Sequence, residues 1–297
     1  MPSPTRLLVL ASLLLSASAI VPRGDTGSDP ATPDGYELVF GPTNGANNAP
    51  GYMGFAYLNR YDPGECAVLC NARGYDSVGG VCQYFNIWRA VEKGVPTTYT
   101  CSMYYLPANA STAINYGQGD LKVTLSRGYK RLSLAVDGGF EGYNPLGCSD
   151  SGYCYDEFYA NWIGSFTSGT DLAPSASMFF NAKFAHTGHG SALLGAAYGG
   201  STEVGTLTHA KPLKTHKGQK YVVQAFISSA FSGEEIETEA VVEVLWNGEC
   251  VGSVGGFQEY KPTQFVVVGT GCDDVLAFRG GKAPAWSFVD DVFVAPL

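Results

Sequence analysis

Charge is scarce in this sequence: Asp, Glu, Lys and Arg supply 15% of the 297 residues, against 45% hydrophobic. A chain so poor in charge and so rich in apolar side chains buries a core, which excludes a disordered protein. Basic residues are the scarcer sign, 18 against 27 acidic. A net negative surface repels phosphate backbones and anionic lipid headgroups, so nucleic acid and membrane are set aside as partners. The sequence holds no G-x-S-x-G elbow, no H-E-x-x-H and no P-loop. The local signatures of serine hydrolases, zinc proteases and NTPases are therefore missing.

Apolar runs of membrane-spanning length are missing too. The stretch "LLVLASLLL" at 7–15 is too short, and it has another reading. Arg6 precedes it and Ala17-Ser18-Ala19 follows it, the pattern of a secretory signal peptide over 1–19. Residues 20–34, rich in Pro, Gly, Asp, Ser and Thr, read as a disordered leader. A secreted protein, extracellular or in the cell wall, is expected. Losing Arg6 with the signal peptide takes 18 basic residues to 17 against 27 acidic, a net charge of −10.

What is present is glycine, 38 residues, and aromatics, 13%, a composition of many short strands and tight turns. There are 8 cysteines, four before residue 102 and four after residue 147. An even count in an oxidising compartment reads as disulfides, and the two clusters suggest two separately stapled domains. Asn109-Ala110-Ser111 is an N-glycosylation sequon in a polar loop.

In the first half, "YELVF" at 36–40 reads as a strand and "TNGANNAPG" as a loop. One helix is clear: Asp62 caps it, Pro63 takes its first position, Glu65 is placed for a capping box, and Gly74 is a suitable stop. Cys66 and Cys70 fall on one face of that helix. "VCQYFNIW", "TYTCSMYYL" and "LKVTLSRGYKRL" read as strands, giving a helix across a small antiparallel sheet.

In the second half nearly everything reads as strand, including "QKYVVQAFISSAF" and "EAVVEVLW". Asn247-Gly248 is the strongest hairpin signal. "TQFVVVGTG" and "DDVLAFRGG" read as a further hairpin, which would bring Cys250 and Cys272 onto adjacent strands. Cys148 and Cys154 pair by proximity. No second helix is expected. "VDGGFEGY" at 136–143 opens this half at Glu141, and "WSFVDDVFVAPL" at 286–297 closes it. The expected fold class is mainly β, a small α+β domain over 35–132 followed by an antiparallel β-sandwich over 136–297.

"YDPGECAVLC", "CQYFNIW" and "YTCSMYY" together resemble a PAN/apple domain. The resemblance implies the pairs Cys66–Cys101 and Cys70–Cys82. "DGGFE" at 137–141, Trp162, "HTGHGSALL" at 186–194 and "FVDDVFV" resemble jelly-roll carbohydrate-binding modules and their galactose-binding-like relatives. In that order the two halves resemble secreted fungal proteins, some described as fruit-body-specific. The second resemblance implies one structural calcium, held by Glu141 and Asp290 with backbone oxygens near Asp137 and Gly190 or Ser191. Calcium takes 6–8 hard oxygen ligands, which suits two carboxylates on neighbouring strands. The alternative is that both carboxylates bond to strand-edge amides or face solvent.

Catalysis finds little support. A glycosidase needs two facing carboxylates, and "SGEEIETEA" at 232–240 reads as solvated loop and strand. His186 and His189 have zinc-like spacing but lie in a Gly-rich turn without local partners. Aromatics remain. "SGYCYDEFYANW" gathers tyrosines in a loop stiffened by Cys148–Cys154. Tyr153, Tyr155 and Tyr159 are expected to stack on sugar rings, with Asp156 and Glu157 forming hydrogen bonds to hydroxyls. Trp162 and Trp286 are expected in the core. The expected function is non-catalytic binding of extracellular carbohydrate, cell-wall polysaccharide or glycoprotein glycan, in the second domain. The alternative is a structural or adhesive protein whose modules bind extracellular proteins.

Overall fold

A computed structural model describes residues 29–149, 152–166, 174–197, 203–281 and 285–297. The signal peptide and the leader up to residue 28 lie outside the described residues. The end of the leader is held: the Arg127 guanidinium pairs with Asp29.

The N-terminal unit contains β1 (Tyr36–Thr43), β2 (Tyr52–Leu58), α1 (Pro63–Asn71), β3 (Tyr84–Glu92), β4 (Val95–Tyr104) and β5 (Leu121–Arg131). The strands form one antiparallel sheet in the order β1-β5-β3-β4-β2. Strand alternation gives the sheet two faces. Phe85, Ile87, Cys101, Met103 and Tyr129 pack beneath α1 with Cys66, Ala67 and Cys70. Cys66–Cys101 and Cys70–Cys82 fasten the helix to the sheet. The opposite face carries Tyr84, Asn86, Trp88, Thr100, Ser102 and Tyr104, in register across β3 and β4.

Asp62 caps α1, its Oδ1 accepting from the Gly64 and Glu65 amides. Glu65 does not close a capping box; it pairs with Arg60 at 2.9 Å. The helix stops at Asn71, short of Gly74, because the chain turns away to a tight turn in which Asp76 and Gly80 exchange backbone hydrogen bonds. β2 was not expected from the sequence.

The second half contains β6 (Cys154–Asp156), β7 (Trp162–Ile163), β8 (Ala176–Phe180), β9 (Gly190–Leu194), β10 (Gly205–His209), β11 (Leu213–Lys214) and β12 (Lys220–Ser229). It continues with β13 (Val241–Trp246), β14 (Glu249–Gly255), β15 (Gln258–Val268), β16 (Asp273–Asp274), β17 (Leu276–Gly280) and β18 (Ser287–Pro296). Two large antiparallel sheets, β15-β12-β18-β9-β8-β6 and β14-β13-β17-β10-β7, enclose a core that includes Trp162, Phe140, Phe278, Leu194, Leu207 and Val223. The chain is thus mainly β, a small α+β unit followed by an antiparallel β-sandwich.

Asn247 and Gly248 turn β13 into β14, with φ of 55° and 84°, which asparagine and glycine tolerate. The hairpin expected between "TQFVVVGTG" and "DDVLAFRGG" does not form. β15 pairs with β12 and β17 with β13, so the chain crosses from one sheet to the other between them. In the second sheet β13 also separates Cys250, on β14, from β17. Cys250 and Cys272 accordingly remain free and exposed, which corrects the fourth expected disulfide. Cys148–Cys154 is present. "SGEEIETEA" is not a solvated loop throughout: Glu234–Glu237 forms one helical turn, α2, and Glu237 is buried.

β12 is buried on both faces, which explains why Tyr221 to Ile227 is apolar at every position but Gln224. Tyr221, Val223, Ala225 and Ile227 face the sandwich core. Val222 faces outward and meets Val81 of the N-terminal unit, together with Phe293 and Ala295. Gln224 Oε1 accepts from the Val81 amide at 2.9 Å, and Arg131 reaches the Pro296 carbonyl. The N-terminal unit therefore covers one end of the outer face of the six-stranded sheet.

Candidate functional site

The other end of that outer face is aromatic. β6 pairs with β8 so that Tyr155 lies opposite Phe179. Alternation turns Tyr155 outward and Cys154 and Asp156 to the other side. Phe179, Phe184, Leu193 and Phe288 form a cluster separate from the sandwich core, with Tyr155, Tyr260 and Trp286 against it. Phe184 stacks on Phe288 at 5.4 Å and 16°, and Phe231 stacks on Trp286 at 5.2 Å and 16°. Tyr153, 65% exposed, stands 6.0 Å from the rings of Phe179 and Phe184.

These rings surround a cavity of about 90 Å³ lined by Tyr153, Tyr155, Phe179, Phe231, Trp286 and Phe288 among others. An open cleft of about 460 Å³ adjoins it, sharing Phe184, Phe231 and Phe288. Its polar rim is Lys183, Ser228, Glu259 and Tyr260. The Tyr260 hydroxyl donates to the Phe184 carbonyl at 2.5 Å, which fixes the segment carrying Phe184. Burial, then the nearby Asp290 carboxylate, holds that phenol well above its usual pKa, so it stays a neutral donor.

The structure does not bring the four expected ligand residues together. Tyr153 and Tyr155 line the cavity. Asp156 accepts from the buried Tyr143 hydroxyl at 3.0 Å, on the opposite side of β6. Tyr159 donates to Asp137 Oδ2 at 2.6 Å and packs edge-on to Tyr143. Burial, then the Asp137 hydrogen bond, pushes the Tyr159 phenol up to about 12. Both residues brace the turn that opens the sandwich. Trp162 is in the core, as its apolar surroundings demand, with its indole donating to the Asp137 carbonyl at 3.0 Å. Trp286 is not: it is half-buried on the outer face. Phe184, Phe231 and Phe288 were missed from the sequence, since an isolated Phe in a strand or turn carries no mark of which face it joins.

Glu141 and Asp290 are drawn to one loop. Glu141 Oε1 accepts from the His189 and Gly190 amides, both at 2.8 Å. Asp290 is wholly buried; its Oδ2 accepts from the His186 and Thr187 amides at 2.7 and 3.2 Å, and its Oδ1 from the Asp291 amide at 2.7 Å. Gly188, at φ +64°, passes so close that a Cβ there would lie 2.1 Å from Glu141 Oε1. Residue 190 thus offers Glu141 its N–H. Burial first, then the Asp291 carboxylate, raises the Asp290 pKa well above the carboxylate range. The oxygen-only character of these side chains suits a hard cation. Yet among the described residues no group of three or more His, Cys, Asp or Glu is arranged to hold a metal. Backbone oxygens would have to complete the shell. The two histidines serve as stacking rings, His186 on Phe226 at 3.9 Å and His189 on Phe180 at 5.5 Å.

The sequence matches no protein-family model and no curated protein. Among solved structures it is similar to a CBM61 module in complex with β-1,4-galactotriose, at 16% identity over 56% of this chain and 99% of that chain, TM-score 0.36. It is similar to the CBM22-1 xylan-binding domain of Paenibacillus barcinonensis Xyn10C, at 15% identity over 45% and 92%, TM-score 0.32. It is also similar to the enzymatically active domain of tailspike protein 4 of bacteriophage CBA120, at 13% identity over 56% of this chain and 22% of that chain, TM-score 0.36.

Proposed function

We propose that this is a secreted, non-catalytic protein that binds extracellular or cell-wall carbohydrate in the cleft on the outer face of the six-stranded sheet. One observation carries the reading: rings of Phe184, Phe231 and Phe288 border an open cleft whose rim is polar, and Tyr153 and Trp286 line the cavity that adjoins it. Pyranose rings present apolar C–H faces to aromatic side chains and hydroxyls to the groups around them. Ser228, Lys183, Glu259 and the Tyr260 edge are placed as that rim. Glycoside hydrolysis asks for a carboxylate pair across the scissile bond, and among the described residues Glu259 is the one carboxylate lining this cleft. Three disulfides fit an oxidising, extracellular setting. The N-terminal unit is taken as PAN/apple-like on the strength of a helix tied to its sheet through Cys66 and Cys70. Asn109, exposed at the start of a short turn, is taken as a glycan acceptor.

A calcium ion on Glu141 and Asp290 belongs to the same reading. When bound it would supply positive charge beside a buried carboxylate and fix loop 186–190, whose neighbour Phe184 borders the cleft. The chain's own residues hold that loop through its amides.

The test is a glycan array with the mature full-length protein and its Tyr153→Ala and Phe231→Ala variants. Both side chains are largely or partly exposed, 65% and 39%, so the fold should survive. Loss of glycan binding in both with unchanged melting is expected. Undisturbed binding in both, or retention of protein partners alone by the intact chain, overturns the reading.

A further inference from the structure

The face of the N-terminal sheet turned away from α1 holds a second built pocket, of about 350 Å³, inside the range of about 300–1,000 Å³ typical of small-ligand sites. Its wall is the strand the sequence concealed. β2 runs antiparallel to β4 with Phe55 opposite Ser102 and Tyr57 opposite Thr100. β3 flanks β4 on its other side with Trp88 opposite Thr100. Thr100 is therefore a floor residue between two rings, Tyr57 and Trp88.

Three features mark this as a ligand site. Thr100 is 3% exposed and lines the pocket, and its hydroxyl has no hydrogen-bond partner among the described residues. A buried hydroxyl without a partner is costly unless something supplies one. Next, Tyr52, Phe55 and Tyr57 are 52%, 52% and 67% exposed, three large rings along one edge strand, with Phe55 edge-on to Tyr57 at 5.1 Å. Lastly, the lining carries no Asp, Glu, Lys, Arg or His; its polar members are hydroxyls and the amides of Asn47, Asn48 and Asn115. Aromatic walls over a neutral hydroxyl-and-amide floor suit a sugar. They offer nothing to pair with a uronate, a sulfated glycan or a charged peptide.

We propose that this pocket is a second carbohydrate site, taking a neutral saccharide that stacks on Tyr57 and Trp88 and bonds one hydroxyl to Thr100 Oγ1. It is independent of the sandwich cleft. Two such sites on one chain would raise retention on a polymer by effective concentration rather than by new contacts.

The experiment uses the mature full-length chain carrying Tyr153→Ala and Phe231→Ala, which removes the sandwich cleft. Neutral cello-, xylo-, laminari-, manno-, galacto- and chito-oligosaccharides are titrated by calorimetry and by saturation-transfer NMR. At least one is expected to bind this background. Adding Tyr57→Ala should weaken it about tenfold or more, the loss of one stacking ring. Adding Thr100→Val should weaken it about two- to tenfold while the protein melts at the same temperature or higher, because the variant removes an unpaired hydroxyl. That combination separates ligand contact from unfolding. No binding by the background chain overturns the inference and leaves the sandwich reading standing. Unchanged affinity in both added variants also overturns it. So does a Tyr57→Ala effect confined to a dimer seen by sedimentation, since the rings would then serve a second copy. The converse, loss with Tyr57→Ala in the otherwise intact chain and none with Phe231→Ala, keeps this site and removes the other.

Discussion

The two aromatic surfaces of the molecule are built differently. On the sandwich, the rings lean on one another: Phe184 on Phe288, Phe231 on Trp286, and Phe179 against both Phe184 and Phe288. Much of each ring is spent on holding the sheet face together. On the N-terminal sheet, Tyr52, Phe55 and Tyr57 stand on one edge strand with their faces largely open. A surface that also holds the fold together shows its function only through its outermost members. A surface that holds little can be removed at little structural cost.

The largest test of that contrast sets Phe288→Ala beside Tyr57→Ala. Phe288 is 4% exposed and touches Phe179, Phe184 and Phe231. Its truncation should cost about 3–5 kcal/mol in chemical denaturation. Tyr57→Ala should stay within about 0.5 kcal/mol of the parent. Equal losses would mean that the edge strand's rings are structural and the contrast is false.

The disulfides offer a second comparison. Replacing Cys66 and Cys101 together by Ala should cost about 2–5 kcal/mol, because the bond fastens α1 to the sheet. Replacing Cys250 and Cys272 by Ser should change stability by no more than about 0.5 kcal/mol. Non-reducing peptide mapping should recover both of these as free thiols. A Cys250–Cys272 peptide would restore the hairpin-based pairing and refute the exposed thiols.

The same contrast governs what could be read from the sequence. α1 was legible because Asp62, Pro63 and a C-x-x-x-C spacing give one local answer. The β13–β14 turn was legible because Asn247-Gly248 does. β2 was not: "YMGFAYL" is apolar at nearly every position, since Met53 serves the core under α1 while Phe55 and Tyr57 serve the open face. With both faces apolar, alternation carries no signal. The false hairpin of 263–281 has a different cause. Neighbouring strands in a sandwich pair or cross between sheets, and sequence patterning favours neither. Asp156 and Tyr159 were grouped with Tyr153 and Tyr155 because they are near in sequence, but Asp156 alternates to the side of β6 opposite Tyr155, and β6 ends before Tyr159.

Calcium sharpens the comparison further, since it would act on one surface alone. Glu141 and Asp290 hold loop 186–190, which follows the cleft residues Phe184 and Ala185 in the chain, and the lining of the N-terminal pocket carries no such carboxylate. Melting the mature chain in chelator and in excess calcium should show a rise worth about 2.7 kcal/mol at a calcium concentration one hundred times its dissociation constant. The Asp290→Asn variant should lose that rise. Oligosaccharide binding by the sandwich cleft should strengthen with calcium, and binding by the Tyr57 pocket should not. A melting temperature indifferent to calcium removes the ion and leaves Glu141 and Asp290 as caps for the loop amides.

The smallest expected effect separates two tyrosines that the sequence placed side by side. The Tyr159 hydroxyl donates to Asp137 Oδ2 at 2.6 Å and accepts from Asn161 Nδ2 at 3.3 Å. Asp137 in turn receives the Gly142 amide through its carboxylate and the Trp162 indole through its carbonyl. Tyr159→Phe keeps the ring against Tyr143 and removes only the hydroxyl. One hydrogen bond to a partly exposed carboxylate is worth about 1 kcal/mol net, so denaturation should shift by that amount. Glycan affinity should hold, because the ring lies on the opposite side of β6 from the cleft. Tyr153→Phe should do the reverse: no shift in denaturation, and a loss of affinity wherever the phenol itself bonds the sugar. If Tyr159→Phe lowered affinity at unchanged stability, the disulfide-bounded loop would act as a single binding surface, and the division that β6 makes between its two sides would not govern binding.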